Sequence, residues 1–468
     1  MQHSLPVPGS TLSHWHQTTR SWPHLNANQD SPVPSSTRYL IVGAGISGAL
    51  TAWELVNHGV DGKDILIVEA REAVSGATGR NAGHIRPDAF RGFLGLAAAH
   101  GSEQARKVLE DEKAVLAKAK EFVESNNIDC NFRYTTTLEV CLESEYAVEL
   151  AESLEAFRAA GGDTSHVRLH EGSAAQDKSR MSHAVCAYEW PAASNHPVKL
   201  TQWILEDAIG RGVKLWTHCP AVDIQRHEGQ ASGLKRWDVH TPRGVVSADT
   251  IVHCTNAYAA HLLPGLVQLI RPRRAQGHSY VPPASLAGDK VLQSTMSLRY
   301  GAKHYFSVNQ LTDGTMIFGG QATRDDKDRD MPEYTQSRFT FDDATHNPYM
   351  MKNSVKEFST LANGGLENEC NVAETKSPMR PGEGLTHVWT GLVAETPDHL
   401  PYIGPIEGLD GQWIAAGYNG HGMARVFTCI PGLVKLIMGS TWSETGLPEC
   451  YAFGADRMRR LAEVNVQS

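Results

Sequence analysis

The chain of 468 residues lacks several features that mark other classes of protein. Its 8 cysteines include no C-x-x-C pair, so neither a zinc site nor a redox dithiol is indicated, and reduced thiols are expected rather than disulfides. No run of about 18 apolar residues is present, which argues against a transmembrane helix. No block of lysine or arginine accompanies the formal charge of −9, so neither nucleic acid nor an anionic membrane is an expected partner. These absences favour a protein that binds a small molecule and no metal.

The first 37 residues lack the basic start and the apolar run of a secretory signal, so we expect a cytoplasmic protein. They are polar and rich in proline, serine and histidine. We interpret them as an arm that Trp15, Trp22 and Leu25 pin to the folded body. The rest of the chain has ordinary globular composition, with 41% hydrophobic and 20% charged residues, and its length favours two domains.

A βαβ unit is predicted near the start of the folded part. Residues 39–42 form a short apolar run that is typical of a strand buried in a parallel sheet. Residues 46–57 have the apolar spacing of a helix, which His58 and Gly59 end. A second apolar run, 65–68, follows.

The turn between the first strand and the helix carries a dinucleotide-binding fingerprint, Gly43-Ala44-Gly45-Ile46-Ser47-Gly48. Gly43 permits the tight turn, Gly45 lets the backbone approach a pyrophosphate, and Gly48 lets the helix pack closely on the strand. Glu69 ends the second strand, where an acidic side chain holds the ribose hydroxyls and disfavours the 2′-phosphate of NADP. The sequence therefore predicts a bound FAD or NAD.

Downstream periodicity predicts further elements. We expect one long surface helix over 96–125 and an apolar helix over 423–438 that follows a glycine-rich loop at 417–422. Between about 266 and 375 the pattern is rich in strands.

Several segments in this order resemble the D-amino-acid-oxidase-like FAD-dependent oxidoreductases, a family that includes glycine and sarcosine oxidases. The similarity is greatest to its fungal members and runs from about 38 to 440. The segments that carry it are the fingerprint at 43–48, Glu69, Ser75-Gly76-Ala77-Thr78-Gly79-Arg80-Asn81-Ala82-Gly83, Trp389-Thr390-Gly391, Thr396-Pro397-Asp398-His399-Leu400-Pro401-Tyr402-Ile403-Gly404, and Ala416-Gly417-Tyr418-Asn419-Gly420-His421-Gly422-Met423.

The resemblance implies an α/β fold of the glutathione-reductase-like flavoprotein type. A Rossmann-type FAD-binding domain would be joined to a second α+β substrate domain built on a mixed sheet. The implied segments are an N-terminal arm at 1–37, a discontinuous FAD-binding domain at 38–100, 197–265 and 376–445, a substrate domain at 101–196 and 266–375, and a C-terminal tail at 446–468.

The resemblance also implies contacts to FAD outside the fingerprint. Arg80 is interpreted as a phosphate partner or as a plain surface arginine, and Val222 as a backbone clasp for the adenine. The loop at 417–422 would direct N–H groups and a helix N-terminus at the flavin, unless it is only a glycine-rich turn. The implied residues are Ala70, Thr78, Gly79, Arg80, Asn81, Gly83, Val222, Thr255, Asn256, Gly391, Gly417, Asn419, Gly420, His421, Gly422 and Met423.

Non-covalent FAD is expected. Some relatives bond the flavin to a cysteine shortly before the Thr-Pro-Asp segment, but here that stretch reads Gly391-Leu392-Val393-Ala394-Glu395. His84 is an alternative tether, although a histidine beside a flavin more often only hydrogen-bonds.

The activity that the resemblance implies is oxidation of a C–N bond of an amine or amino acid, of the secondary amine or D-amino acid type, to an imine. O2 would be the acceptor and yield H2O2. A dehydrogenase with another acceptor, a tailoring oxidase acting on a natural-product amine, and a dinucleotide-binding module without enzymatic activity are the alternatives. The candidate pocket residues are His84, Arg86, Arg274, Gln276, His278, Tyr305 and His421.

Overall fold

The computed structural model of the chain describes residues 5–227, 236–320, 338–365, 379–459 and 461. Parts of the predicted segments 1–37, 197–265, 266–375, 376–445 and 446–468 therefore lie outside the described residues. The strands are β1 Ser36–Val42, β2 Ile65–Val68, β3 His84–Ile85, β4 Arg133–Cys141, β5 Arg168–Glu171, β6 Cys186–Ser194, β7 Lys214–Trp216, β8 Asp223–Arg226, β9 Trp237–Thr241, β10 Gly244–His253, β11 Arg271–Val281, β12 Thr295–Arg299, β13 Tyr305–Gln310, β14 Met316–Gly320, β15 Gly384–Glu395, β16 Tyr402–Pro405 and β17 Gln412–Ala416. The α-helices are α1 His14–Gln17, α2 Ile46–Asn57, α3 Phe93–His100, α4 Ser102–Ser125, α5 Ser144–Ala159, α6 Gly172–Ser179, α7 Pro197–Gly210, α8 Ala259–Leu262, α9 Pro348–Ala362, α10 Val426–Ile437 and α11 Trp442–Thr445.

The first of two sheets has the order β16-β17-β10-β1-β2-β7, with the β8–β9 hairpin attached to β10. Strand β1 lies at its centre and pairs in parallel with β2 and β10, so that Leu40 faces both Leu66 and Ile251. Both strands of the predicted βαβ unit are buried along their apolar runs, as a parallel strand covered on both faces must be. The predicted Rossmann-type unit is therefore confirmed, with α2 at its predicted bounds.

The second sheet has the order β15-β11-β14-β13-β12-β4-β6-β3, with β5 paired to β6. Its pairs are antiparallel apart from β12 and β4, which run parallel. The sheet is therefore mixed, as predicted, and the α/β fold class is confirmed. Within the described residues, no helix combines the length and apolarity needed to cross a membrane.

The predicted division into domains stays a prediction, and the strands of the two sheets do not follow it throughout. Strand β3 lies in the segment 38–100 and β15 in the segment 376–445, yet both pair within the second sheet.

The single long helix predicted over 96–125 is wrong. The structure has two helices, α3 and α4, separated by Gly101 at φ 82°. Leu96 in α3 and Ala105 in α4 belong to the same core, so the apolar periodicity continues across the break and does not reveal it. In the sequence, only Gly101, a residue type that tolerates positive φ, indicates where α3 ends and α4 begins.

The apolar helix predicted over 423–438 also begins later than expected. A 3₁₀ turn, Gly422–Ala424, follows the glycine-rich loop, and α10 starts at Val426. Arg425 lies between them, buried, with its Nε 2.8 Å from Oε1 of Glu112. This fixed ion pair holds the chain in a turn where continuous helix was expected.

The N-terminal arm lies against the body of the protein. Trp15 is 1% exposed and Leu25 is buried, while Trp22 packs partly buried against the same core. Its last residues already belong to the first sheet, since β1 begins at Ser36.

Candidate cofactor and active site

Residues from both sheets line one cavity of ≈ 420 Å³. Cavities of about 300–1,000 Å³ with a few convergent polar groups are typical of ligand sites. One end is formed by the turns that follow β1 and β2, and the other by side chains of β3, β12 and β13.

The turn after β1 has room only for glycine at two positions. Gly43 has φ 108°, and a Cβ there would lie 2.9 Å from the carbonyl oxygen of Cys254. A Cβ on Gly48 would lie 1.9 Å from the carbonyl oxygen of Gly43. Gly48 therefore allows α2 to pack on β1 and does not line the cavity, as the fingerprint predicts.

The N-terminus of α2 presents backbone donors to this cavity. The N–H of Ile46 donates to Oγ1 of Thr78 at 3.1 Å. The N–H groups of Gly45 and Ser47 donate to no protein atom among the described residues, and both residues line the cavity. Unpaired N–H groups at the positive end of a helix form a binding site for an anion such as a pyrophosphate.

Glu69 lies at the end of β2, partly buried and next to that turn. Its Oε2 accepts from the N–H of Ala44 at 2.9 Å, and its Oε1 accepts from the N–H of Arg71 at 3.0 Å. Burial raises the pKa of Glu69, and these N–H groups oppose the rise. Glu69 and Ala70 both line the cavity, whereas Ala44 does not.

The loop at 75–83 divides into two parts. Thr78, Arg80 and Asn81 line the cavity, whereas Gly79 and Gly83 do not. The guanidinium of Arg80 is buried and donates to the carbonyl oxygens of Ser75 at 2.6 Å and Thr390 at 2.7 Å. Arg80 is therefore not a surface arginine, and its role as a phosphate partner stays a prediction.

Side-chain amides hold the loop at 417–422 to the segments that follow β10 and β15. Oδ1 of Asn256 accepts from the N–H of Gly417 at 3.0 Å, and Oδ1 of Asn419 accepts from the N–H of Thr396 at 2.8 Å. Gly417 lies outside the cavity wall. The predicted residues from these segments that line the wall are Thr255, Asn256, Gly391, Asn419, Gly420, His421, Gly422 and Met423.

The structure does not place Val222 at the cavity. Its side chain is 39% exposed, and its N–H donates to the carbonyl oxygen of His240 at 2.9 Å, which extends the β8–β9 hairpin. Pro220 and Ala221 line the wall instead. The residues of this segment that line the cavity thus lie one and two positions before Val222.

The prediction of which residues of β11 line the cavity is also corrected. Arg274 and His278 were expected in the pocket, but neither lines it. Arg274 donates from Nη2 to Oδ2 of Asp342 at 2.8 Å, whereas Arg273 lines the cavity. Successive side chains of a strand point to opposite faces. Gln276 borders the cavity, although its side-chain amide bonds His278 at 2.9 Å.

His84 and Tyr305 lie on the wall at the other end of the cavity. Nε2 of His84 is 2.7 Å from Oγ of Ser307, and its Nδ1 has no partner among the described residues. Burial, and then the positive charges of Arg86 and Arg133, lower the pKa of His84 to about 3. The imidazole is therefore neutral at physiological pH.

Three arginines of this wall surround one buried carboxylate. Glu139 is 0% exposed; it forms an ion pair with Arg86, and its Oε1 lies 2.8 Å from Nε of Arg299 and 3.8 Å from Nη1 of Arg91. The hydroxyl of Tyr146 donates to the same Oε1 at 2.9 Å. Burial alone would raise the pKa of Glu139, but the three guanidinium groups hold it near 2. We call these five residues the arginine cluster.

His421 connects the arginine cluster to the buried ion pair between Arg425 and Glu112. Its Nε2 is 3.3 Å from Nη2 of Arg91, and its Nδ1 is 3.5 Å from Oε2 of Glu112. Burial would raise the pKa of Glu112, but Arg425 and His421 lower it below its usual range.

Several residues at this site were not predicted from the sequence. Three of them, Arg91, Glu139 and Arg299, are far apart in the sequence. The pairing of β12 with β4 brings Arg299 to Glu139, and the segment after β3 carries Arg91 to the same carboxylate. Trp190 completes the wall, with the Arg86 guanidinium 5.2 Å from its ring centroid.

A Rossmann-type sheet whose glycine turn shares one cavity with a second, mixed sheet defines a dinucleotide-dependent oxidoreductase. The sequence matches the family described as FAD dependent oxidoreductase over residues 38–429. The chain belongs to this family, and its cofactor is FAD. The predicted affinity to fungal members stays a prediction.

Named proteins resemble the chain at low identity. It is 23% identical over 390 residues to human mitochondrial dimethylglycine dehydrogenase, covering 82% of this chain but 40% of that protein. L-Proline dehydrogenase from P. horikoshii superposes with a TM-score of 0.62 at 19% identity, covering 90% of this chain and 97% of that one. Glycine oxidase from Geobacillus kaustophilus gives 0.61 at 18% identity, covering 86% and 95%. These likenesses establish the fold.

The residues present fit FAD. Unpaired N–H groups at α2 suit a pyrophosphate, and the partly buried Glu69 carboxylate on the cavity wall suits ribose hydroxyls.

Proposed function

We propose that the protein oxidises the C–N bond of a small amine or amino acid that carries a carboxylate, giving an imine. The observation that carries this proposal is Arg86. Its Nη2 pairs with Glu139, while its Nε and Nη1 have no protein partner among the described residues and the side chain retains 14% exposure at the cavity wall. The free N–H groups of this guanidinium can donate charge-assisted hydrogen bonds to a carboxylate.

The relatives support this substrate class by their names. Glycine, L-proline and dimethylglycine each have a carboxylate on the carbon that bears the nitrogen. A substrate of this class, held at Arg86, would have its α carbon a fixed distance from the anchored carboxylate. When bound, FAD supplies the acceptor for the hydride that leaves this carbon.

The positive charge of the wall also selects the protonation state of the substrate. Arg86, Arg91 and Arg299 outnumber the carboxylates of Glu139 and Asp88 that pair with them. Nearby positive charge disfavours an ammonium group, so the amine binds with its nitrogen lone pair free. That lone pair forms the C=N bond as the hydride departs, and water hydrolyses the imine. The proton that the amine releases on binding passes to the solvent.

We further propose that O2 accepts the electrons and yields H2O2. Glycine oxidase supports this choice by name, whereas the two dehydrogenases favour the second candidate, transfer to another acceptor. The guanidinium of Arg91 would assist reduction of oxygen by offsetting the negative charge that develops.

Anaerobic reduction of the FAD-loaded protein tests the substrate class. Glycine, N-methylglycine, proline and both enantiomers of alanine should bleach the visible flavin absorbance. The matched amines without a carboxylate, such as methylamine and pyrrolidine, should do so at least about 100-fold less efficiently, because they forgo the charge-assisted pair with Arg86. Equal bleaching by both groups would contradict the carboxylate proposal.

Reoxidation separates the two acceptors. The reduced protein, mixed with air-saturated buffer, should recover its absorbance within seconds and release one equivalent of H2O2. Recovery only after addition of a quinone or dye would identify a dehydrogenase.

A further inference from the structure

The N-terminal strap, which we define as residues 5–31, lies outside the sequence match to the family, which begins at residue 38. It nevertheless reaches the cavity, because Leu5 and Pro6 are part of the wall. They border it together with Arg71 and Tyr258, at the end where Glu69 lies. The strap thus contributes to the cavity from outside the segment that matches the family.

The strap is bonded to the loop at 75–83 and to Val74, which precedes it. Oγ of Ser13 donates to the carbonyl oxygen of Gly79 at 2.5 Å, and Nε1 of Trp15 donates to that of Asn81 at 2.7 Å. Nε2 of His16 donates to the carbonyl oxygen of Val74 at 3.1 Å, since its Nδ1 accepts from the N–H of Ser13. These contacts are buried or partly buried, where a lost hydrogen bond is costly.

Two glycines of the loop lie in close contact with the strap, and neither lines the cavity. A Cβ on Gly79 would lie 2.3 Å from Nε2 of His16 and 2.4 Å from the carbonyl oxygen of Val74. A Cβ on Gly83 would lie 2.8 Å from the carbonyl oxygen of Asn195 and 2.9 Å from Cζ2 of Trp15. The loop therefore has no room for a larger residue at either position while the strap is in place.

Arg80 joins the strap to the second sheet. Its Nη2 donates to Oγ of Ser10 at 2.7 Å and its Nη1 to Oγ1 of Thr11 at 3.1 Å. Thr11 also accepts from the N–H of Thr390 on β15 at 3.0 Å. The strap is therefore bonded both to the loop at 75–83 and to strand β15 of the second sheet.

The same loop reaches the pyrophosphate end through Thr78, whose Oγ1 accepts from the N–H of Ile46. Displacement of the strap would release the loop that carries Thr78 and would remove Leu5 and Pro6 from the wall. We propose that the strap is a cofactor-retaining segment: FAD leaves only when the strap detaches from the loop at 75–83.

The rate of FAD release tests this proposal without any substrate. The holoprotein is diluted far enough that released FAD does not rebind, and the rise in flavin fluorescence that accompanies release is followed. Ser13→Ala and Trp15→Phe each remove one donor to the loop, and each should speed release by about tenfold, the factor expected for one buried hydrogen bond. Their unfolding temperatures as apoproteins are measured in parallel.

Trp22→Phe is the matched control, because Nε1 of Trp22 donates at 2.9 Å to Glu206 of α7 and not to the loop. It should release FAD at the rate of the unaltered protein. The proposal is overturned if Ser13→Ala and Trp15→Phe release FAD at that same rate, or if Trp22→Phe speeds release as much as they do. Because the assay follows FAD alone, a protein that retains FAD through the strap but oxidises no amine would refute only the proposed function.

Discussion

The carboxylate of Glu69 accepts a hydrogen bond from the backbone N–H of Ala44 at 2.9 Å, so the end of β2 and the glycine turn after β1 form one unit. The bond fixes the side chain while it remains on the cavity wall. A carboxylate in this position suits hydroxyl groups of a ribose.

Glu69→Gln should weaken FAD binding by about tenfold to 100-fold, because an amide replaces a charged acceptor worth roughly 1.5–3 kcal/mol. Titration of the apoprotein with FAD, followed by quenching of flavin fluorescence, gives the Kd. Asp61→Asn, an exposed change in the same βαβ unit, is the control and should bind FAD normally. An unchanged Kd for Glu69→Gln would refute the ribose role.

Arg86→Gln should raise KM for an amino acid substrate by about 100-fold with a smaller effect on kcat, because the lost interaction binds the carboxylate in both the ground and transition states. The same variant should use the matched amine without a carboxylate as well as the unaltered enzyme does. Arg168→Gln, on the exposed strand β5, serves as the control. A loss that is equal for both substrates would mean that Arg86 does not bind the carboxylate.

The cofactor end of the site was predictable because the residues that form it are close together in the sequence. The turn at 43–48, the helix after it and Glu69 lie within about 30 residues, and each requirement, such as the absence of a Cβ at Gly48, is met by one residue type. The structure therefore has this unit at its predicted bounds.

The substrate end was not predictable to the same degree. Strand β11 is buried on both faces, so its sequence carries no alternation that would show whether Arg273 or Arg274 faces the cavity. Glu139 reads as one polar residue of a strand until β12 brings Arg299 beside it. Likewise, nothing near Gly79 in the sequence shows that His16 will pack against it.

Glu139→Gln should lower the free energy of unfolding by about 3–5 kcal/mol, because it leaves buried guanidinium groups without their shared counter-charge. The pKa of Glu139 is lowered from 4.5 to about 2 in the folded protein. Its stabilising contribution is therefore complete above pH 4.5 and is lost as the pH falls towards 2. Denaturant unfolding at pH 7 measures the difference, with the exposed Glu143→Gln after the same strand as control; equal midpoints would contradict the prediction.

FAD release should also respond to acid through His16. Burial and then the charge of Arg80, with a smaller contribution from Arg20, lower its pKa from 6.5 to about 4, against the opposing effects of the Val74 carbonyl and Glu72. A detached strap would therefore take up a proton that the attached strap excludes, so the attachment is fully stabilised above pH 6.5 and loses this stabilisation as the pH falls towards 4. Protonation of Nδ1 also ends its acceptance from the Ser13 N–H.

Lowering the pH from 7 to 5 should thus speed FAD release on the order of tenfold. In His16→Gln, whose amide can still donate to Val74 but does not titrate in this range, release should be faster at pH 7 and should change less with pH. His196, which bonds Thr18 of the strap and has a pKa lowered to about 3, chiefly by burial, remains in both proteins and accounts for a residual slope. His58→Gln, at an exposed position at the end of α2, is the control and should keep the full dependence. If His16→Gln retained the slope of the unaltered protein, protonation of His16 would not be what loosens the strap.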